Sequence, residues 1–183
     1  MKQVLLLSSF LAINLCASAQ NQLYSIKTSE ISFFSKGPIV NIEAKNTKTS
    51  SLINTTNREL MVRIPIAQFQ FKNRLMQQHF NETYLESEKF PYATFKGTIN
   101  ELINFSNSGS YDLSASGTLN IHGVDQKRTL RGKLIIDENN LKLDARFDVL
   151  LIDHKIDIPK LVFKKIAEKI AVTASFNYIP NKN

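Results

Sequence analysis

Hydrophobic and polar residues alternate through most of the second half of the chain. Apolar or small side chains occupy every second position over residues 111–121, and the same pattern recurs at 130–136 and 141–149. A period of two is typical of a strand with one buried face. Turn segments at 122–125 (HGVD) and 138–140 (ENN) separate the runs, and Asn and Gly tolerate the positive φ of tight hairpins. The pattern therefore predicts an antiparallel meander with one apolar face.

Similar patterns predict strands before and after the meander. They cover residues 23–34, 40–44, 60–66, 95–99 and 170–178. The apolar positions change phase before Phe69 and Phe71, which requires a bulge or bend near residues 67–68 if both sets are to face the interior. Residues 73–81 are the best helix candidate, with Asn73 as the N-cap. The expected fold class is all-β, a single antiparallel barrel of roughly eight strands with one short helix and a short helical turn after Asp153.

Alternation does not decide what the interior of such a barrel contains. A barrel of about eight strands is either filled by side chains or able to hold one small ligand. Small residues on the inward face, namely Ala115, Gly117, Gly132 and Ala145, fit two interpretations. They relieve crowding where strands coil, or they leave room for a ligand, and the sequence leaves both interpretations open.

Residues 1–19 have the pattern of a secretory signal peptide. A positively charged start is followed by an apolar stretch and by a small-residue cleavage site at 17–19 (ASA). We expect cleavage after Ala19 and a single mature domain over 20–183, in the periplasm or secreted. Cys16 raises a lipoprotein alternative, but the residue before it is large. Because Cys16 is the one cysteine of the chain, the mature protein is expected to have neither a disulfide nor a thiol nucleophile.

The charge distribution and the sequence motifs argue against several classes of function. The 183 residues carry a formal net charge of +7, but Lys and Arg are scattered, so nucleic-acid binding is not expected. The histidines His79, His122 and His154 lack the spacing of a recognised metal site, and none is predicted. Glu86 and Glu88 fit a solvated loop better than an acid–base pair. In the absence of a nucleophile or phosphate-binding motif, no catalytic residue is predicted.

Three segments together resemble one family, the YceI-like polyisoprenoid-binding proteins. Residues 75–99 (LMQQHFNETYLESEKFPYATFKGTI) resemble the family's H-x-x-x-x-(Y/F)-x-x-x-x-(K/E)-(Y/F)-P-x-A-x-F segment. Residues 117–130 (GTLNIHGVDQKRTL) are similar to its G-x-L-x-(I/L)-H-G-V hairpin, and residues 153–176 are similar to its closing loop and last strand. The resemblance covers nearly all of the predicted mature chain, although residues 46–57 are polar where the family is usually glycine-rich. In the first segment the matching positions are His79, Tyr84, Lys89, Phe90, Pro91, Ala93 and Phe95.

The resemblance implies a lipocalin-like barrel whose lumen holds a long isoprenoid chain, in an exported protein without established catalytic chemistry. It implies no cofactor besides such a bound lipid. The expected partners are an isoprenoid or other long-chain lipid and, transiently, a membrane surface, while the oligomeric state stays open. The inward positions that we nominate as the apolar lining of the lumen are Phe69, Phe71, Phe95, Tyr111, Leu113, Ala115, Leu119, Leu134, Leu143, Ala145, Phe147, Val172, Phe176 and Tyr178.

The expected function is therefore sequestration or transport of a polyisoprenoid-type amphiphile, and two alternatives stay open beside it. A barrel filled by side chains would be a ligand-free envelope stress or interaction protein. An enzyme built on His79, His122 or the loop carboxylates would need two of these groups within hydrogen-bonding reach in a pocket.

Overall fold

The computed structural model describes residues 23–36, 41–157 and 168–181. The predicted signal peptide, residues 1–19, lies outside the described residues, as do residues 158–167. No helix among the described residues is both long and apolar enough to cross a bilayer.

The described residues form ten strands and one short α-helix, with additional single helical turns. The strands are β1 Leu23–Ser35, β2 Ile42–Asn46, β3 Ser50–Asn54, β4 Glu59–Pro65, β5 Gln70–Phe71, β6 Tyr92–Ile99, β7 Gly109–Ile121, β8 Val124–Asp137, β9 Asn140–Leu150 and β10 Lys169–Pro180. The helix α1 is Arg74–His79, and it is followed directly by a π-helical turn, Phe80–Tyr84. Two 3-10 turns are Ile66–Gln68 and Ile152–His154.

Eight of the strands close into an antiparallel barrel. Their order around the wall is β1-β3-β4-β6-β7-β8-β9-β10, and β10 pairs back onto β1 over most of its length. β2 and β3 both pair with β1 in one register, from Leu23↔Asn54 to Ser35↔Ile42, so they are two parts of one wall strand interrupted at 47–49. The arrangement confirms the expected all-β barrel, and β5 extends the wall by pairing with β2.

The phase change before Phe69 is produced by the 3-10 turn Ile66–Gln68 between β4 and β5. Ile66 and Phe69 are both buried, at 4% and 6% exposure, so the turn keeps apolar side chains of either phase inside, as the sequence predicted. Pro65, the last residue of β4, directly precedes this turn. Asn46 Nδ2 donates to the Pro65 carbonyl at 2.8 Å, which satisfies a group whose burial would otherwise cost stability.

The barrel has two ends of different construction. The closed end carries the β8–β9 hairpin and the loop between β6 and β7, whereas the open end carries the β7–β8 hairpin and α1. Inward side chains from opposite strands fill the interior at the closed end, which we call the packed half. Its most deeply buried members include Tyr24, Ile53, Ile99, Ala115, Leu134, Ile136, Leu141 and Tyr178.

A hydrogen-bonded pair of polar side chains is buried within the packed half. The Tyr178 hydroxyl lies 2.7 Å from Ser51 Oγ, and Ser51 Oγ donates to the Met61 carbonyl at 2.7 Å. Because the serine proton is used on that carbonyl, Tyr178 is the donor in the tyrosine–serine bond. Burial raises the pKa of Tyr178 above its usual value, so the phenol stays neutral and the packed half contains no charge at this point.

The inward glycines allow neighbouring strands to approach closely. A Cβ on Gly117 would contact the Lys96 carbonyl and the Gly97 backbone, and a Cβ on Gly132 would lie 2.6 Å from the Asp144 carbonyl oxygen. These neighbours are backbone atoms, which cannot move away as a flexible side chain could. Of the two interpretations that the sequence left open, the structure therefore supports relief of steric crowding.

Candidate functional site

The open end of the barrel contains an apolar cavity of about 450 Å³. Pockets that bind small molecules have volumes of roughly 300–1,000 Å³ and are mostly apolar. The barrel wall contributes Ile31, Phe33, Ile42, Ile64, Ala93, Leu119, Ile121, Phe147, Val149, Ile170 and Val172. Among the described residues that line this space there is no Asp, Glu, Lys or Arg. The interior is thus filled at one end and hollow at the other.

A cover over the cavity is formed by the segment from β5 through α1 and the π-helical turn. Asn73 starts α1 as predicted, since its Oδ1 accepts from the backbone N–H groups of Leu75 at 2.9 Å and Met76 at 3.2 Å. No residue of α1 is fully buried, and Leu75 is 58% exposed although it lines the cavity. The helix therefore lies on the barrel with one side facing the cavity and the other facing solvent.

Four phenylalanines, which we call the phenylalanine cluster, attach the cover to the wall. They are Phe33 of β1, Phe69 and Phe71 around β5, and Phe80 of the π-helical turn. Ring centroids of contacting pairs lie 5.0 to 5.8 Å apart, with Phe33 and Phe80 nearly stacked at an interplanar angle of 23°. Each such contact contributes about 0.5–1.5 kcal/mol beyond burial. All four rings also line the cavity.

The few polar side chains of the cavity lie on its cover and rim. His79 and Tyr84 both line the cavity, and no hydrogen bond from either side chain is present within the described part of the chain. His79 precedes the π-helical turn and Tyr84 is its last residue. The i→i+5 spacing of such a turn brings residues five apart in sequence onto one side. Burial raises the pKa of Tyr84, so its hydroxyl is a neutral donor facing an apolar space.

His122 connects three loops at the open end. The backbone of His122 has a positive φ of 53° in the β7–β8 hairpin, and the next residue, Gly123, has a φ of 73°. The imidazole Nε2 lies 2.7 Å from Glu86 Oε2, while Nδ1 donates to the His154 carbonyl at 3.2 Å. Phe90 packs edge-on against the ring, with centroids 4.5 Å apart. We call this group the His122 junction, and it fixes the loop after the cover to the hairpin.

The barrel wall is completed near this junction by a turn rather than by a strand. In the described chain, the backbone ladder between β8 and β9 ends at the pair Gly132↔Ala145. Closer to the open end, Arg128 Nη2 donates across the gap to the Asp148 carbonyl at 2.8 Å, and Gln126 Nε2 donates to the Asp153 carbonyl at 2.7 Å. The 3-10 turn Ile152–His154 is thereby held against β8.

His154 is fully buried within that turn. Its Nδ1 lies 3.3 Å from the Val124 carbonyl, which can only accept, so the proton is on Nδ1. Its Nε2 has no hydrogen-bond partner among the described residues, and burial lowers the pKa of the ring. The imidazole is accordingly neutral, because burial would leave the charge of a protonated ring poorly solvated.

The nominated lumen residues divide between the two halves of the barrel. Phe69, Phe71, Leu119, Phe147 and Val172 line the cavity. The others do not line it and lie towards the closed end or at the boundary between the halves: Phe95, Tyr111, Leu113, Ala115, Leu134, Leu143, Ala145, Phe176 and Tyr178. The alternation of residues along each strand identified which side chains point inward. It did not show how far along the barrel the packed interior extends.

Several cavity residues were not nominated from the sequence. Met76 and Phe80 are spaced i, i+4, so they lie on one side of a helix, and this spacing was a usable signal for the cover. Phe33 is followed by Phe34, so parity alone does not tell which ring faces inward. Leu151 and Ile156 line the cavity from the segment around the 3-10 turn after β9. That segment has no periodic sequence pattern from which their inward orientation could have been predicted.

The candidate catalytic groups do not come together in the cavity. His122 and Glu86 do meet, but neither lines the cavity, and both ring nitrogens of His122 are used in the junction. His79 lines the cavity without a carboxylate partner among the described residues. Within those residues no group of three or more His, Cys, Asp or Glu side chains is arranged to hold a metal ion.

Fold and cavity together define a lipocalin-like β-barrel with a hollow apolar end. The model of the YceI-like domain family matches residues 23–178, and the chain belongs to this family. No curated protein gave a significant match.

Solved structures of three relatives share the fold. A polyisoprenoid binding domain from Saccharophagus degradans, implicated in plant cell wall breakdown, superposes with a TM-score of 0.72 at 15% identity, covering 86% of this chain and 98% of that one. BcnA of Burkholderia cenocepacia gives 0.68 at 16% identity, with coverages of 81% and 95%. The YceI protein of Campylobacter jejuni gives 0.63 at 16% identity, with coverages of 79% and 87%.

Proposed function

We propose that this protein binds the apolar chain of an isoprenoid-type amphiphile in the cavity at the open end. The observation that carries the proposal is the cavity itself, about 450 Å³ of space lined by aliphatic and aromatic side chains without a charged group among the described residues. The polyisoprenoid binding domain of Saccharophagus degradans has the same fold, which supports the choice of ligand class.

The energetics of such a site favour a chain over a compact polar ligand. Each CH₂ group removed from water contributes about 0.8 kcal/mol, and ordering of the chain and of the cover opposes that gain. The phenylalanine cluster offers broad apolar surface, and Met76 in the cover is an adaptable contact. A polar head group lies best beside His79 and Tyr84, whose polar atoms have no partner within the described residues.

The proposal includes a compartment and a role. The signal-peptide pattern of residues 1–19 supports export, followed by action in the periplasm or outside the cell. A carrier or a sequestering protein fits there, since long apolar chains need a protein to cross an aqueous space. Exchange of the chain would take place at a membrane surface. The open end would contact that surface through the side chains of Leu75 and Ile152, which are 58% and 81% exposed.

The direct test is to identify what the mature protein carries. The protein starting at Gln20 is purified without detergent and extracted with organic solvent, and the extract is analysed by mass spectrometry. The delipidated protein is then titrated with farnesol and geranylgeraniol. We expect a co-purified apolar amphiphile and saturable binding of at least one alcohol. A lipid-free protein that also binds neither alcohol would contradict the proposal and leave the ligand-free interaction barrel.

A pair of matched variants locates the bound chain. Val172 points into the cavity, and its neighbour Thr173 is exposed on the outer face of β10. Val172→Trp should fill the cavity and abolish binding, whereas Thr173→Trp should leave it unchanged. Far-UV circular dichroism and thermal melting check that both variants are folded. Equal binding by both variants would show that the chain does not occupy this cavity.

A further inference from the structure

We propose that the cavity limits the apolar part of its ligand to about 15–20 carbons, because the packed half of the barrel is its floor. This inference rests on the proposed function and adds the class of chain that the site accepts. It predicts a single farnesyl- or geranylgeranyl-sized chain, or an acyl chain of similar length, in place of a long polyisoprenoid held entirely inside.

The lining of the cavity stops part-way along the strands of the barrel wall. On β9, Phe147 and Val149 line the cavity, but the more distant inward residue Leu143 does not. On β10, Val172 lines the cavity and Phe176 does not. The lining therefore stops at about mid-height on both strands.

The same limit is found on the opposite side of the wall. On β6 the lining ends at Ala93, and the next inward residue, Phe95, is buried at 4% exposure below it. Gly97 follows, and the space that its missing side chain leaves is taken by the Phe95 ring, whose Cζ lies 2.8 Å from the position a Gly97 Cβ would have. The ring is thus directed towards the closed end and fills the barrel interior beneath the lining residue Ala93.

Phe176 occupies the corresponding position on β10, in the packed half beneath the lining residue Val172. It is 4% exposed and packs edge-on against Tyr178, with ring centroids 6.1 Å apart. Tyr178 is in turn fixed by its hydrogen bond to Ser51. A longer chain could enter the packed half only by displacing these rings and leaving a buried phenol or serine without its partner, which is costly.

The volume of the cavity gives the approximate chain length. An apolar cavity of about 150 Å³ accepts benzene, a molecule of six carbons. The cavity of about 450 Å³ is roughly three times as large and corresponds to roughly 18 carbons. The remaining part of a much longer chain would have to leave through the open end and lie against the cover or in water, where it gains little from burial.

A homologous series of prenyl alcohols tests the limit on the delipidated mature protein. Geraniol, farnesol, geranylgeraniol and solanesol are each titrated by native mass spectrometry. We expect affinity to rise by about tenfold or more from geraniol to farnesol and to change by less than about threefold from geranylgeraniol to solanesol. An affinity for solanesol about tenfold above that for geranylgeraniol would overturn the length limit while leaving the proposed function intact. Binding of no alcohol at all would overturn the proposed function, and the limit with it.

A series of linear fatty alcohols tests whether the chain-length limit is set by the volume of the cavity or by the methyl branches of the prenyl chain. Dodecanol, hexadecanol and docosanol should show the same plateau, because volume decides it. A continued rise of affinity up to docosanol would overturn the proposal.

Floor variants then test which residues set the limit. Phe95→Leu and Phe176→Leu keep an apolar side chain but shorten it, so each should move the plateau to longer chains. Leu134→Met, deep in the packed half, is the matched control and should leave the plateau in place. If both floor variants fold and bind farnesol but keep the original plateau, these two rings are not the floor and the proposal is wrong.

Discussion

The packed half and the hollow half of this barrel are built from the same strands and the same alternation, yet their interiors differ. In the packed half, inward side chains such as Leu134 and Tyr178 meet across the barrel and fill it. At the open end, inward side chains line a space of about 450 Å³. The difference shows that alternation determines which way a side chain points, while filling depends on what lies opposite.

The two halves also treat polar groups differently. The packed half contains a satisfied pair, Tyr178 and Ser51, whose donors and acceptors are used. The open end has His79 and Tyr84 facing the cavity, and the His122 junction holds the surrounding loops together. Satisfied polar groups stabilise a unique core, whereas polar groups without a protein partner are available to a ligand.

The largest effect should come from matched truncations in the two halves. Leu134→Ala in the packed half should lower the free energy of unfolding by about 2–5 kcal/mol, because a closed, fully packed site is left empty. Leu119→Ala should cost less, since Leu119 already borders the cavity and has fewer partners to lose. Urea unfolding followed by circular dichroism measures both. Equal losses would contradict the division into a packed and a hollow half.

The second effect concerns Gly117, one inward position below the cavity residue Leu119. Gly117→Ala should destabilise the protein by about 1–3 kcal/mol, because the new methyl group contacts the backbone of Lys96 and Gly97. The same unfolding measurement applies, with Ser110→Ala at an exposed position of β7 as the control. A neutral or stabilising result would mean that Gly117 borders empty space and that the hollow half extends further.

The third effect is the alkaline response of the packed half. Burial raises the pKa of Tyr178, so the folded state favours the neutral phenol. The stability that this preference contributes is complete below the unfolded-state pKa of about 10 and is lost as the pH rises above it. Tyr178→Phe should cost about 0.5–1.5 kcal/mol at neutral pH and should flatten the loss of stability above about pH 10. Tyr24 also has a raised pKa, so some alkaline response should remain. An unchanged pH profile would show that Tyr178 does not ionise on unfolding.

The smallest effect is the acid response of the open end. Burial lowers the pKa of His154, so its neutral form is favoured by folding, and this contribution is present above the unfolded pKa of about 6.5 and lost as pH falls through the lower folded value. Asp153 and Arg128 are the charged groups that act on it, with opposite signs. His154→Gln should lose less stability than the wild type between about pH 6.5 and 5. Parallel acid curves would contradict this assignment.

Much of the fold was predictable because local rules act within each strand. The meander over 111–149, the capped helix after Asn73 and the bend at 67–68 all follow from spacing and turn chemistry. The split of β2 and β3 into one interrupted wall strand was not predicted, since residues 46–57 are polar and carry no periodic signal. For the candidate site, the residues nominated from the sequence include Leu119 and Phe147, which line the cavity. They also include Leu134 and Tyr178, which lie in the packed half.

The sequence by itself determined the all-β class, the inward face of each strand and, through three family-like segments, membership of the YceI-like family. Only the tertiary structure decided where the interior is filled. That decision depends on side chains which are distant in sequence but meet across the barrel, such as Ser51 with Tyr178 and Phe33 with Phe80. Parity is a property of one strand, whereas a cavity is a property of all strands together, because it exists where opposite side chains fail to meet.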